Sequence, residues 1–149
     1  DHNSLKKHFE KLEIEIKKGV NKLEYYKGFQ HNVLKIKLDL LDFLISMKKE
    51  NKKVVAYGAA AKGNTLLNYC GVKNDLIDYV VDANPNKQQK YLPASHIPIL
   101  SEEKIKETKP DYVLILPWNL KTEITEQLAY IKDWGAKLVV PIPHLEIIN

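Results

Sequence analysis

The sequence predicts an α/β fold in which a parallel β-sheet carries helices on both faces and is preceded by two N-terminal helices. Two observations carry that prediction. From Lys53 onward, short and almost wholly apolar runs alternate with helical patterns, the texture of buried parallel strands joined by crossover helices. Before Lys53 the apolar residues recur at steps of three and four, which is helical spacing. A chain of 149 residues falls within the usual size of one domain, so a single core is expected without a disulfide or metal staple.

The first helix follows from Leu5, Phe9, Leu12 and Ile16, with Gly19 as its stop or bend. The second follows from Phe29, Val33, Ile36, Leu40, Phe43 and Met47, beside an adjacent stripe of Leu34, Leu38, Leu41 and Ile45. Such a broad apolar face suits packing on a sheet or another domain better than a two-helix coiled-coil hairpin. Residues 1–50 are therefore read as helices packed on a domain formed by residues 51–149. Its strands are expected at Lys53–Tyr57, Ile77–Asp82, Tyr112–Leu116 and Lys137–Val140. Three helices connect them. One spans about Lys62–Tyr69 and ends at Gly71; one follows Ser101, which can cap it while Glu102 and Glu103 complement its dipole; one runs from Leu120 to Trp134 and stops at Gly135. Right-handed crossovers then make a Rossmann-like half. The stretch Ala83–Pro98 is the one long irregular segment expected, and loops of that length usually serve function.

Hydrophobic residues at 44% and charged residues at 28% are ordinary for a globular chain and argue against disorder. No apolar run approaches the roughly 20 residues that cross a bilayer. The charged start lacks a secretory apolar region and the single Cys70 has no partner for an internal disulfide, so a reducing cytoplasm is the expected location. The absence of an initiator methionine at Asp1 suggests a piece of a longer protein. A net charge of +4 would permit nucleic-acid binding, but the basic residues are scattered. All 23 of them are lysine, which removes the arginine fork that most often clamps phosphate or reads guanine. Any phosphate must be held by lysine and backbone N–H groups.

The strongest local signal is Tyr57-Gly58-Ala59-Ala60-Ala61-Lys62-Gly63-Asn64-Thr65, placed after a strand and at the opening of a helix. It is a G-x-A-x-x-G variant of the dinucleotide fingerprint, with Ala60 where a second glycine would allow the closest approach of a pyrophosphate. Its helix N-terminus can hold an anion. Asp82 ends the next strand, where such folds place a ribose-binding carboxylate. Alternatively the glycines serve tight strand-to-helix packing, and Lys62 is a solvated first-turn residue, although a lysine there opposes the helix dipole unless an anion offsets it. Pro117-Trp118-Asn119 lies at the carboxyl edge of the sheet. Trp118 can stack on a base or sugar; Asn119 can bind a hydroxyl or, more simply, cap the next helix. His96 is a candidate proton carrier or donor, against the plain reading of a solvated loop histidine. The five histidines and one cysteine show no zinc or iron spacing, and no Ser/His/Asp or Cys/His arrangement can be read.

At these residues the chain resembles the C-terminal domain of SAM-dependent nucleotide-sugar C-methyltransferases acting on deoxysugars. The resembling segments are YGAAAKGNTLLNYCG at Tyr57–Gly71, IDYVVD followed by NPNKQ, YLPASHIPI, DYVLILPWNLKTEI and KLVVPIP, within a span from about Phe29 to Pro143. Gln89 and Ala94 depart from that pattern, standing where glycine is expected. The resemblance implies a nucleotide-sugar ligand of the thymidine-diphosphate type between this domain and a SAM-binding domain, with zinc and SAM held by domains outside the chain and no cofactor in the chain itself. The ligand residues it implies are Gly58, Ala60, Lys62, Gly63, Asn64, Thr65, His96, Trp118 and Asn119. No catalytic base is carried over, and the chain alone is expected to be inactive. Two other readings stay open: an NAD-dependent oxidoreductase fragment, motivated by the same turn with Asp82, and a non-catalytic interaction module acting through the N-terminal helices.

Overall fold

Alternation of side chains along a strand sends neighbours to opposite faces of a sheet, so a strand apolar at every position must be covered on both sides. The computed structural model, which describes residues 2–16 and 22–148, shows that consequence directly. Helix α1 spans His2–Ile16 and α2 Lys22–Lys49, followed by strand β1, Val54–Tyr57, and helix α3, Ala61–Cys70. Val54 and Ala56 of β1 face a core shared with Leu5 of α1, with Ile36, Leu40, Phe43 and Leu44 of α2, and with Leu66, Leu67 and Cys70 of α3. Val55 faces a second core on the other side of the sheet. Gly19 lies outside the described residues, as do the side chains of Leu12, Ile16 and Phe29.

Seven strands form one sheet. After β1 they are β2 (Val80–Val81), β3 (Lys90–Tyr91), β4 (Pro98–Leu100), β5 (Tyr112–Ile115), β6 (Lys137–Val140) and β7 (Glu146–Ile148), in spatial order β3-β4-β2-β1-β5-β6-β7. The five central strands are parallel, while β3 and β7 pair antiparallel at the two edges. Taken alone, the parallel strands follow the order third-second-first-fourth-fifth of a Rossmann-like sheet. The chain therefore reverses direction across the sheet between β1 and β5, and such a switch point opens at the strand carboxyl ends.

Helix α4, Glu103–Thr108, and helix α5, Lys121–Gln127, with the 3₁₀ turns Trp118–Leu120 and Ala129–Trp134, cover the second face. Their buried residues Ile105, Ile124 and Ile131, with Leu128 between α5 and the second turn, pack there with Val113, Ile115 and Leu138. Gly71 and Gly135 close their helices in the left-handed conformation, as their positions predict.

Four expectations change. The segment Ala83–Pro98 is not wholly irregular: β3 and β4 lie in and beyond it, and β4 supplies the third parallel strand. Its partner β3 is exposed at both positions, so no apolar alternation announces it. The edge strand β7 is likewise too short for a periodic signal. The third crossover is not one continuous helix but α5 followed by a 3₁₀ turn. Neither Ser101 nor Asn119 caps a helix. Ser101 offers its backbone carbonyl to Lys104 N, and no side chain caps α4; Asn119 lies inside the 3₁₀ turn, and the capping position of α5 is Leu120.

Burial pushes the Cys70 thiol up to about 12, so it stays protonated and behaves as a small apolar residue of the core. The two departures from glycine have a backbone counterpart, because Gln89 and Ala94 adopt φ of 62° and 68°. A left-handed alanine costs roughly 1–2 kcal/mol, and glycine's extra freedom in the unfolded chain takes back about 0.4–1 kcal/mol. Ala94→Gly is accordingly expected to raise stability by about 0.5 kcal/mol in urea unfolding, whereas Ala56→Gly in buried β1 should lower it by about 1 kcal/mol or more. A loss at both positions would contradict the left-handed assignment.

Candidate functional site

The carboxyl end of β1 leads straight into α3 through three residues, Gly58 to Ala60, and the geometry of that passage is set by two close approaches. A Cβ on Gly58, whose φ is +96°, would lie 2.6 Å from Pro117 Cδ. On Gly63 it would lie 2.6 Å from Leu116 Cβ. Glycine is needed at the first position for both conformation and space. At the second it lets the first turn of α3 sit directly on the end of β5, the helix-packing role of the last glycine in the fingerprint.

Asp82 braces the turn. Its Oδ2 accepts the Ala59 N–H at 2.9 Å and its Oδ1 accepts the Asn84 N–H at 2.8 Å. The Lys87 ammonium donates to the Ala59 carbonyl at 3.3 Å and stands 4.0 Å from Asp82 Oδ2. Gln88 donates from Nε2 to the Asp82 carbonyl at 2.9 Å. Both oxygens of the carboxylate proposed for a ribose are thus already engaged by this chain. Sequence reading missed Lys87 and Gln88. The signal for them was the D-x-N-x-N spacing from Asp82 to Asn86, since Asn84 Oδ1 in turn accepts the Asn86 N–H, and successive side-chain-to-backbone turns fold the chain back onto Ala59.

Bonding within the fold narrows the donors available at the turn. Gly58 N–H goes to the Val81 carbonyl, Ala59 N–H to Asp82 and Asn64 N–H to the Ala60 carbonyl. The first N–H groups of α3, on Ala61, Lys62 and Gly63, have no acceptor within the helix, and no side chain caps it. Ala60 is the extended residue from which they start. Thr65 is buried and its hydroxyl donates to the Ala61 carbonyl at 2.9 Å. Asn64 Oδ1 is the one buried side-chain polar atom among the described residues without a hydrogen-bond partner.

Trp118 and Lys62 stand at the rim, with the ammonium 5.9 Å from the indole centroid, at the limit of a cation–π contact. The His8 ring of α1 lies 6.4 Å from Trp118, so the N-terminal helix reaches the same edge. Asn119 is exposed beside them. His96 is elsewhere. It lies two residues before β4, and the bond from Leu92 N–H to the Ile97 carbonyl sets its loop at the amino ends of the parallel strands, opposite the turn. The structure therefore brings together Gly58, Ala60, Lys62, Gly63, Asn64, Thr65, Trp118 and Asn119, and leaves His96 apart.

On the other face of the same edge, Gln127 Nε2 donates to Tyr57 Oη at 2.8 Å and to Glu102 Oε1 at 2.6 Å. Tyr130 Oη donates to Glu102 Oε2 at 3.2 Å. Burial pushes the Tyr57 and Tyr130 phenols up, and the Glu102 carboxylate adds to the effect at both, so each keeps its proton. These residues tie β1 to α4 and α5. Among the described residues, no three His, Cys, Asp or Glu side chains gather as a metal-binding group, and no helix is long and apolar enough to cross a membrane.

Residues 2–143 match the family model of the C-methyltransferase C-terminal domain. The C-methyltransferase NovU of Streptomyces niveus is 32% identical over 140 residues, an alignment that covers 94% of this chain and 33% of that relative. The chain thus spans about a third of its relative's length. A crystal structure of UDP-D-quinovosamine 4-dehydrogenase from Vibrio fischeri aligns with a TM-score of 0.45 and 21% identity, over 66% of this chain and 93% of that one.

Removal of the Asp82 carboxylate leaves two backbone N–H groups without their acceptor, and hydrogen bonds to a charged group are worth about 1.5–3 kcal/mol. Asp82→Ala is expected to lower stability in urea unfolding by about that amount, and Asp82→Asn, which keeps one acceptor oxygen, by less. Equal losses for the two variants would show that the carboxylate does not brace the turn.

Proposed function

Because the chain belongs to the C-methyltransferase C-terminal domain family, we propose that it is the sugar-nucleotide-binding part of a SAM-dependent C-methyltransferase that acts on a deoxysugar. In this reading SAM and zinc are held by other domains of a longer protein, and the ligand lies between this chain and the SAM-binding domain. The carrying observation is the uncapped N-terminus of α3, held open by a braced turn and rimmed by Lys62 and Trp118.

The proposed contacts follow from the chemistry of a nucleoside diphosphate. Its pyrophosphate takes the N–H groups of Ala61, Lys62 and Gly63 at the positive end of the helix dipole. Lys62 swings from the Trp118 face to the phosphate, and the indole is left to stack on the base or sugar. Ala60 and Gly63 contribute smallness, while Asn64 offers an acceptor to a ligand hydroxyl. Thr65 acts through its bond to Ala61, which stiffens the first turn. Asn119 offers an amide at the rim. The chain binds and orients; the methyl donor and the base that removes the sugar's proton are assigned to the rest of the protein. A reducing cytoplasm is the proposed setting.

Titration with thymidine diphosphate, followed by amide NMR, is expected to move Ala61, Lys62 and Gly63 first. A charge-assisted hydrogen bond of about 1.5–3 kcal/mol makes Lys62→Ala roughly 10- to 150-fold weaker in affinity, with Lys132→Ala as an unaffected control. Tighter binding of NAD, with shifts centred on Asp82, would replace this reading with a dinucleotide site. The chain alone is expected to show no methyl transfer to any nucleotide sugar supplied with SAM, and measurable turnover would place the chemistry within these residues.

A further inference from the structure

Helix α2 carries two apolar faces, and the fold uses only one. Ile36, Leu40, Phe43 and Leu44 are buried in the core against the sheet, and Val33 is buried as well. On the side facing away, Leu34, Leu38 and Ile45 are 47%, 54% and 42% exposed, and Leu41 is half-buried at the margin of the core. These four residues are separated by steps of four, three and four. That is the a/d repeat of a two-helix seam, not the pattern of a solvated face.

We propose that this face pairs with the same face of a second copy of the chain, the two α2 helices running antiparallel about a two-fold axis. Charge selects the partner and the direction. With Leu34, Leu38, Leu41 and Ile45 as seam positions, Lys35 and Asp42 both fall at the position immediately following a d residue and flank the stripe on the same side. Antiparallel pairing sets Leu38 against the second copy's Leu41 and Leu34 against its Ile45. It also places each Lys35 beside the other copy's Asp42, twice by symmetry. Lys35 is free to exchange, because its present bond to Asp39, at 2.8 Å, joins groups that are 59% and 36% exposed. A parallel pair would instead call on Lys37, which is already held over the Tyr69 ring at 5.4 Å, and would align Lys48 and Lys49 with their own copies. Four apolar layers make a small interface, and the association is expected to be weak and reversible.

Sedimentation velocity of the chain between about 1 and 500 µM, a range suited to small interfaces, is expected to show a monomer–dimer equilibrium. Leu38→Lys should weaken it by at least about tenfold, as expected for a charge placed in an apolar seam. Since Leu38 is exposed in the monomer, its thermal unfolding at low concentration should not change. Lys35→Glu and Asp42→Lys should each weaken the dimer, and the double variant should restore it. A chain that stays monomeric throughout would overturn the proposal and assign the stripe to another domain or a different protein. A dimer indifferent to Leu38→Lys, or one not restored by the double exchange, would overturn it as well.

Discussion

A helix can present its first N–H groups above the end of a parallel sheet only if its opening turn lies almost in contact with the neighbouring strand. At Gly63 the distance from an added Cβ to Leu116 would be 2.6 Å, and the same separation holds between Gly58 and Pro117. Everything at the carboxyl edge depends on these approaches. They fix where α3 begins, and they bring the end of β5 and Trp118 beside Lys62. A side chain at either position would force the helix away from the strand, and the N–H groups of Ala61, Lys62 and Gly63 would no longer converge with the aromatic rim.

Around that contact the chain solves an electrostatic problem without arginine. A turn of small residues has no side chains of its own to hold its shape, and Asp82 supplies the missing acceptor from the end of the next strand. Lys87 then offsets the carboxylate and holds the Ala59 carbonyl. The carboxylate is thus a brace from within the fold. The polar cluster of Tyr57, Glu102, Gln127 and Tyr130 performs the matching task on the opposite face, joining β1 to the helices beyond it. The strand end is thereby fixed from both sides, which is what a site built on short loops requires.

The two cores explain why the N-terminal helices are part of this fold and not an appendage. Val54 and Ala56 of β1 would face water without α2 and α3, and Leu5 of α1 closes the same core. That helix also brings His8 toward Trp118. The division at residue 50 is therefore a change of pattern along the chain, and the apolar face crosses it without a break.

Patterns that are local in sequence were readable from sequence. The apolar runs at Lys53–Tyr57, Tyr112–Leu116 and Lys137–Val140 declared buried strands, the steps of three and four declared α2, and Gly71 and Gly135 marked helix ends, because burial and backbone conformation are constrained residue by residue. The fingerprint from Gly58 to Thr65 likewise announced a strand-to-helix turn. Whatever depends on pairing across distance waited for the tertiary structure. Strands of two or three residues such as β3, β4 and β7 have no period to detect and exist only because a neighbouring edge offers hydrogen bonds. His96 looked like a companion of the turn until strand register put it at the opposite end of the sheet. The bond between Asp82 and Ala59 could not be read from spacing, and Lys87 gained a role only when the successive turns at Asp82 and Asn84 carried it back to Ala59. Sequence alone determined which residues must be buried and where the chain must turn; the tertiary structure decided which polar groups satisfy one another, since a hydrogen-bond partner is chosen by position in space.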